Sequence, residues 1–175
     1  MFDQLDKARF GPWLPMQLTL VYKLIEAGRK TGLDVRVINS AFPDGVHPVI
    51  ARIGLAPTTG IGNVANPILP IRSSVAHRLR VSMTVVKILL VAHHNVSPYL
   101  PPFGSTGGVP YYLKTVAGDR DVTEDVNFEP VFKDLPTRFR RPGGGDGQIL
   151  TASSALGIIL AIVHDTVDLM HAPRP

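Results

Sequence analysis

The sequence predicts an α/β (α+β) fold in which three to four helices pack on a short mixed sheet, with an antiparallel β region at about 95–147 and a long C-terminal helix. Three observations carry this. Apolar residues recur every three or four positions in several stretches, as one face of a helix requires. Two β-branched runs, Asp34 to Ala41 and Thr84 to Ala92, stand between those stretches. The stretch from Asn95 to Gly147 is rich in proline and glycine and holds short strand-like runs.

Leu14, Leu18, Val21, Leu24 and Ile25 mark the inner face of a first helix ending near Gly28 to Gly32. The run DVRVINSA, Asp34 to Ala41, lies between Gly32 and the turn Pro43-Asp44-Gly45 and reads as a short buried strand. Asp44 is placed to cap a second helix with Val46, Val49, Ile50 and Ile53 inward and Gly54 at its end; Pro48 is tolerable in its first turn. Leu55 to Pro70, punctuated by proline, Gly60, Gly62, Asn63 and Asn66, reads as a structured loop, and loops of this length are usually functional. A third helix follows with Ile71, Val75 and Leu79 on one side and Arg72, Arg78 and Arg80 elsewhere. TVVKILLVA, Thr84 to Ala92, is the clearest strand and ends at His93 and His94. Tyr111 to Ala117 and Val126 to Phe132 are the strand candidates of the antiparallel region. The last helix carries Leu150, Ala155, Ile158, Ile159, Ile162, Val163, Val167 and Met170 behind Gly143-Gly144-Gly145, and Ile149 to Val163 reads as a buried helix.

A chain of 175 residues fits one domain, expected over 1–175. With 45% hydrophobic and 18% charged residues it is too apolar for a disordered protein. The absence of cysteine excludes disulfides, thiolate metal sites and cysteine nucleophiles, and fits a cytoplasmic location. Ile149 to Val163 contains Thr151, Ser153 and Ser154 and falls short of the ~20 apolar residues of a membrane span, so no membrane partner is expected. The net charge of +4 is gathered only at Arg138, Arg140 and Arg141, too little for a nucleic-acid surface; a solvated turn or bidentate recognition of a carboxylate are the two readings of that cluster.

Two motifs carry chemistry. Gly60-Ile61-Gly62-Asn63-Val64-Ala65 matches G-x-G-x-x-A, which lets a backbone approach a pyrophosphate, yet no strand leads into it and no acidic residue follows at the ribose distance. A turn lining a pocket accounts for the same glycines. His93 and His94 stand where a strand gives way to a loop, the position in open α/β sheets where ligands bind. Neighbouring side chains of a strand face opposite ways, so one histidine faces a pocket while its neighbour packs; a purely structural pair is the rival reading. Adjacent residues cannot easily share one ion and no spaced ligand set is visible, so no metal is expected. His47, His77, His164 and His171 read as surface or cap residues.

Val37-Ile38-Asn39, Gly60-Ile61-Gly62-Asn63 and Val91-Ala92-His93-His94-Asn95 occur in an order that resembles the lactate and malate dehydrogenase superfamily, distantly and from its mid-chain onward. The resemblance implies the substrate-binding and catalytic portion of an NAD(P)-dependent oxidoreductase acting on a small hydroxy or keto acid, without the N-terminal dinucleotide-binding half. It makes His94 the acid/base, with His93 beside it. Asn39 would orient substrate and nicotinamide, Gly60 and Gly62 would approach the NAD or NADP, and Asn63 or Asn66 would orient the imidazole. Arg72 would grip the substrate carboxylate, and Thr151, Ser153 and Ser154 would face the substrate from the last helix. A homodimer or a completing subunit would cover what the missing half leaves open. A non-catalytic dimer and a cofactor-independent lyase or isomerase are the alternatives.

Overall fold

The computed structural model describes residues 13–138, 144–167 and 170–173. It is a mixed α/β structure whose described residues form two compact units, 13–62 with 172–173, and 63–171. The parallel and antiparallel pairings fall into two separate sheets, one in each unit.

The first unit holds α1 (Trp13–Thr31), β1 (Ile38–Asn39), α2 (Pro43–Ala51) and β2 (Thr59–Gly60). The predicted spacing on α1 holds except at Leu24, which is exposed: Val21 is buried, and Leu14, Leu18 and Ile25 pack with it against Val46, Ile50 and Leu55. α2 begins with Pro43 at its first position, where the missing N–H costs nothing, and Asp44 lies inside the first turn rather than capping it. Only Val46 and Ile50 of its predicted inner face are buried; Val49 and Ile53 are exposed. His47, expected at the surface or at a cap, is instead fully buried in this helix. The strand expected over 34–41 shrinks to Ile38–Asn39, paired in parallel with Thr59–Gly60. Val37 extends the contact, accepting from the Thr58 N–H at 2.9 Å, but Val35 is left exposed with nothing to pair against.

The second unit runs through a 3₁₀ turn (Asn63–Ala65), α3 (Ile68–Leu79), β3 (Val86–Ala92), α4 (Val96–Phe103), β4 (Tyr111–Ala117), β5 (Arg120–Asp121), α5 (Phe128–Arg138) and α6 (Gly144–Val163). β3 and β4 pair antiparallel from Val86↔Ala117 to Ala92↔Tyr111, and β5 adds to the far side of β4. Val86, Ile88 and Leu90 alternate inward with Lys87, Leu89 and Val91 outward, the period of a half-buried strand. Their inner face packs on Ile71 and Val75 of α3, Val96 and Leu100 of α4, and Val131, Phe132 and Leu135 of α5. Ser74 and Arg78 of α3 both donate to Asp134 of α5, at 3.1 and 2.7 Å, tying two helices at the edge of this core.

Three expectations for this unit are corrected. Val126 to Phe132 is not a strand: Phe128, Val131, Phe132 and Leu135 repeat at helical spacing, and the Asn127 side chain accepts the Glu129 N–H at 3.1 Å as a helix cap. The segment after His94 is not loop but α4, whose Val96 and Leu100, four apart, bury the same face. The last helix is present, yet it is not a buried one: Ile149, Leu156, Leu160 and Val163 are 64, 56, 46 and 68% exposed, and Ile158 is the buried apolar residue of its described part. Among the described residues no helix is long and apolar enough to cross a membrane. Phe139, Arg140 and Arg141 lie outside the described residues.

Leu135 is fully buried where α5 meets α3 and the sheet. Leu135→Ala is expected to lower the unfolding free energy by about 2–5 kcal/mol, read from a denaturant titration.

Candidate functional site

In the second unit a cleft of about 380 Å³ opens between the start of α3, the middle of α6 and the segment at Met170 and His171. Its apolar wall is Ile68, Leu69, Leu150, Ile158 and Met170. Its polar groups are Asn66, Arg72, Ser153, Ser154 and His171, and none of the described lining residues is acidic. Four of these five are residues the sequence had singled out, from two segments about eighty positions apart in the chain.

Each is held by its element. The turn Asn63–Ala65 closes with the Asn66 N–H donating to the Asn63 carbonyl at 3.0 Å, which sets Asn66 just before α3; its Nδ2 is buried with no hydrogen-bond partner. Ser97, buried on α4, donates its hydroxyl to the same Asn63 carbonyl and fixes that turn to the sheet end. Arg72 sits one turn into α3 and reaches Met83 and Thr84, donating from Nε to the Met83 carbonyl at 2.8 Å and from Nη2 to the Thr84 carbonyl at 3.3 Å. Those two bonds hold the guanidinium plane. On α6, Ser153 donates back to the Ile149 carbonyl at 2.9 Å, while Ser154 is half-buried beside Gly157 and Ile158.

His171, read from sequence as a surface or cap residue, is the group that reasoning missed. The Leu90 N–H, on the β3 edge away from β4, donates to its Nε2 at 3.1 Å. Nε2 therefore carries the lone pair and the neutral ring's proton sits on Nδ1. Burial, which penalises the charged ring, lowers its pKa below the ordinary 6.5. No local pattern announces this contact, since the partners are 81 positions apart.

The other predicted residues lie elsewhere. His93 is exposed, and its Nδ1 accepts the Asn95 N–H at 3.2 Å, a cap on the turn between β3 and α4. His94 is half-buried in that turn, where its carbonyl accepts the Ser97 N–H at 3.2 Å; neither histidine lines the cleft. Thr151 and Asn63 also stand outside its lining. Asn39, Gly60 and Gly62 belong to the first unit. Asn39 is buried and bonds its own turn, accepting the Ala41 N–H at 2.8 Å and donating to the Ala41 carbonyl at 3.2 Å.

The two glycines do allow close approach, but to the chain itself. A Cβ on Gly60 would stand 2.6 Å from Pro43 Cβ and 2.8 Å from His47 Cε1, and one on Gly62 would stand 2.9 Å from the Pro173 ring. That filled space does not fit a pyrophosphate cradle.

Comparison with protein families, with curated proteins and with solved structures finds no match. Among the described residues no three histidines or carboxylates gather as metal ligands.

Gly60→Ala is expected to destabilise the chain by about 1–3 kcal/mol in thermal or denaturant unfolding, because Pro43 and His47 are both buried and cannot give way. His171 makes stability depend on pH. Its folded pKa lies below the unfolded 6.5, so the unfolded chain binds the proton first and stability falls as pH drops from about 6.5 toward the folded value. Melting temperatures between about pH 7.5 and 5 should fall less steeply in His171→Gln than in the native chain.

Proposed function

We propose that the second unit binds a small hydroxy or keto acid in the cleft between α3 and α6, as the substrate-binding portion of an oxidoreductase. The observation that supports this reading is the polarity of the described lining: the guanidinium of Arg72 and the neutral imidazole of His171 are both donors, and no carboxylate stands among the described lining residues. Such a set matches a ligand rich in acceptor oxygens and anionic at neutral pH. The guanidinium suits a carboxylate, which it can hold by paired charge-assisted bonds. The first turn of α3, Ile68 and Leu69, adds the positive end of a helix dipole at the same place. The apolar wall leaves room for a short carbon skeleton and gives no polar group to a long hydrophilic one.

Hydride exchange with NAD or NADP, with His94 as acid/base, extends this reading on the strength of the motif order in the sequence. The cleft does not carry that extension, since His94 is not among its lining residues and the faces of Gly60 and Gly62 are filled by the chain. A second reading, a dimer interface, rests on the exposed row Ile149, Leu156, Leu160 and Val163 of α6, an uncharged stripe of the kind that another surface covers.

Titration of the full chain with pyruvate and L-lactate, followed by calorimetry or ligand-observed NMR, tests the proposal. Saturable binding is expected. Ser154→Asp, which sets a carboxylate in the cleft without touching the Arg72 bonds, should weaken it by about tenfold or more, and Arg72→Met should weaken it further. Absence of binding to the native chain, or equal binding by Ser154→Asp, overturns the reading.

A further inference from the structure

We propose that the groove of the first unit, walled by the C-terminal part of α1 and the segments 33–38 and 54–58, binds an aliphatic carboxylate, a linear hydrocarbon chain whose one anionic end meets Arg29 and Arg36. The inference is independent of the cleft in the second unit and of the ligand proposed there.

Two departures from the expected packing meet in this groove. The spacing on α1 turns Leu24 inward and the β-branched run buries Val35, yet they are 64 and 55% exposed, and Leu33 is 63% exposed. All three line one cavity of about 730 Å³. Its deeper lining includes Leu55 and Pro57, both buried, and Ile25 and Val37, both half-buried. An apolar side chain exposed singly needs no account, but three on the wall of one apolar concavity mark a surface that something apolar covers. The volume lies within the roughly 300–1,000 Å³ of small-molecule sites.

The polar side chains of the lining narrow the ligand. Thr31 donates its hydroxyl to the Ala27 and Gly28 carbonyls, both at 3.0 Å, and Thr58 Oγ1 accepts the Val37 N–H at 3.1 Å, so both hydroxyls serve the chain's own backbone. The two charged residues of the described lining are both arginines. Arg29 stands in the last turn of α1, where the helix dipole alone accounts for a cation. Arg36 stands on the extended segment after that helix, where no dipole does.

Both arginines are exposed, so an anion meets them at the solvent side of the groove while their methylene stems lie along its apolar wall. A carboxylate suits them because a guanidinium holds it by paired charge-assisted bonds. The rest of the ligand is bound by Leu24, Leu33, Val35 and the deeper apolar residues. An amide or hydroxyl carried there would give up water for hydrocarbon side chains, whereas a methylene gains from the same exchange. The ligand is therefore charged at one end and apolar along its length.

Calorimetry on the full chain with octanoate, decanoate and dodecanoate, each kept below its aggregation concentration, tests this. Saturable binding is expected, tightening by about two- to fourfold per added methylene. Decanol, with the same chain and no charge, should bind roughly tenfold more weakly than decanoate. The double variant Arg29→Met, Arg36→Met keeps the apolar stems at exposed positions; it should keep its melting temperature and bring decanoate down to the level of decanol. Amide shifts on adding decanoate to the native chain should gather at 33–38 and 54–58. Absence of saturable binding, equal affinity for decanoate and decanol, unchanged decanoate affinity in the double variant, or shifts confined to the α3–α6 cleft overturns the inference. Binding to anionic vesicles without binding to monomeric decanoate overturns it as well, in favour of a membrane surface.

Discussion

The antiparallel register of β3 with β4 is the constraint on which the second unit is built. Seven pairs, from Val86↔Ala117 to Ala92↔Tyr111, decide that Val86, Ile88 and Leu90 face the helices. A shift of one residue would turn Lys87 and Val91 inward and expose the other set. The same register decides which backbone groups leave the sheet on the open edge. Leu90 has its side chain in the core and its N–H on that edge, so one residue serves both the packing of α3, α4 and α5 and the anchoring of the segment at 170–171. Burial in the core makes the position of that amide as firm as the sheet itself.

Much of the fold was legible because it follows local periodicity. The strand read at Tyr111 to Ala117 is β4 residue for residue, and the faces read on the first and third helices, Leu24 apart, are the ones that pack inward. What misled the reading were places where two periods fit the same letters. Val126 and Phe128, two apart, begin what looks like the alternation of a strand, and a seven-residue window ending at Phe132 favours that period. Extended to Leu135, the same letters place Phe128, Val131, Phe132 and Leu135 at helical spacing, and the helix is what forms. In the last helix the error was one of environment. A sequence apolar on every side implies burial, yet α6 turns Leu150, Ser153, Ser154, Gly157 and Ile158 toward the cleft and leaves Leu156 and Leu160 exposed.

The lining of the candidate cleft was legible in part for a different reason. Asn66, Arg72, Ser153 and Ser154 were picked out by the order of motifs, and the fold brings them to one cleft. His94, which that order made central, is placed in the turn before α4, and the imidazole that does line the cleft is His171. Nothing in the letters around position 171 distinguishes it from a surface histidine, because its environment is made by a strand far away in the chain. Chemistry that depends on such a partner is invisible to spacing and visible only in the assembled unit. The arginine illustrates the converse: its type was evident, but its ties to Met83 and Thr84, which orient the guanidinium, come from a turn that no motif marks.

The bond between Leu90 and His171 spans most of the second unit in sequence. During synthesis the sheet and its helices can therefore assemble while the cleft still lacks one wall, and the pocket is finished only when the last few residues of the unit emerge. A chain released just short of position 171 would carry the sheet and its helices but leave the Leu90 edge amide unmet and the cleft without its His171 side, so the core and the cleft are completed at different lengths of the chain.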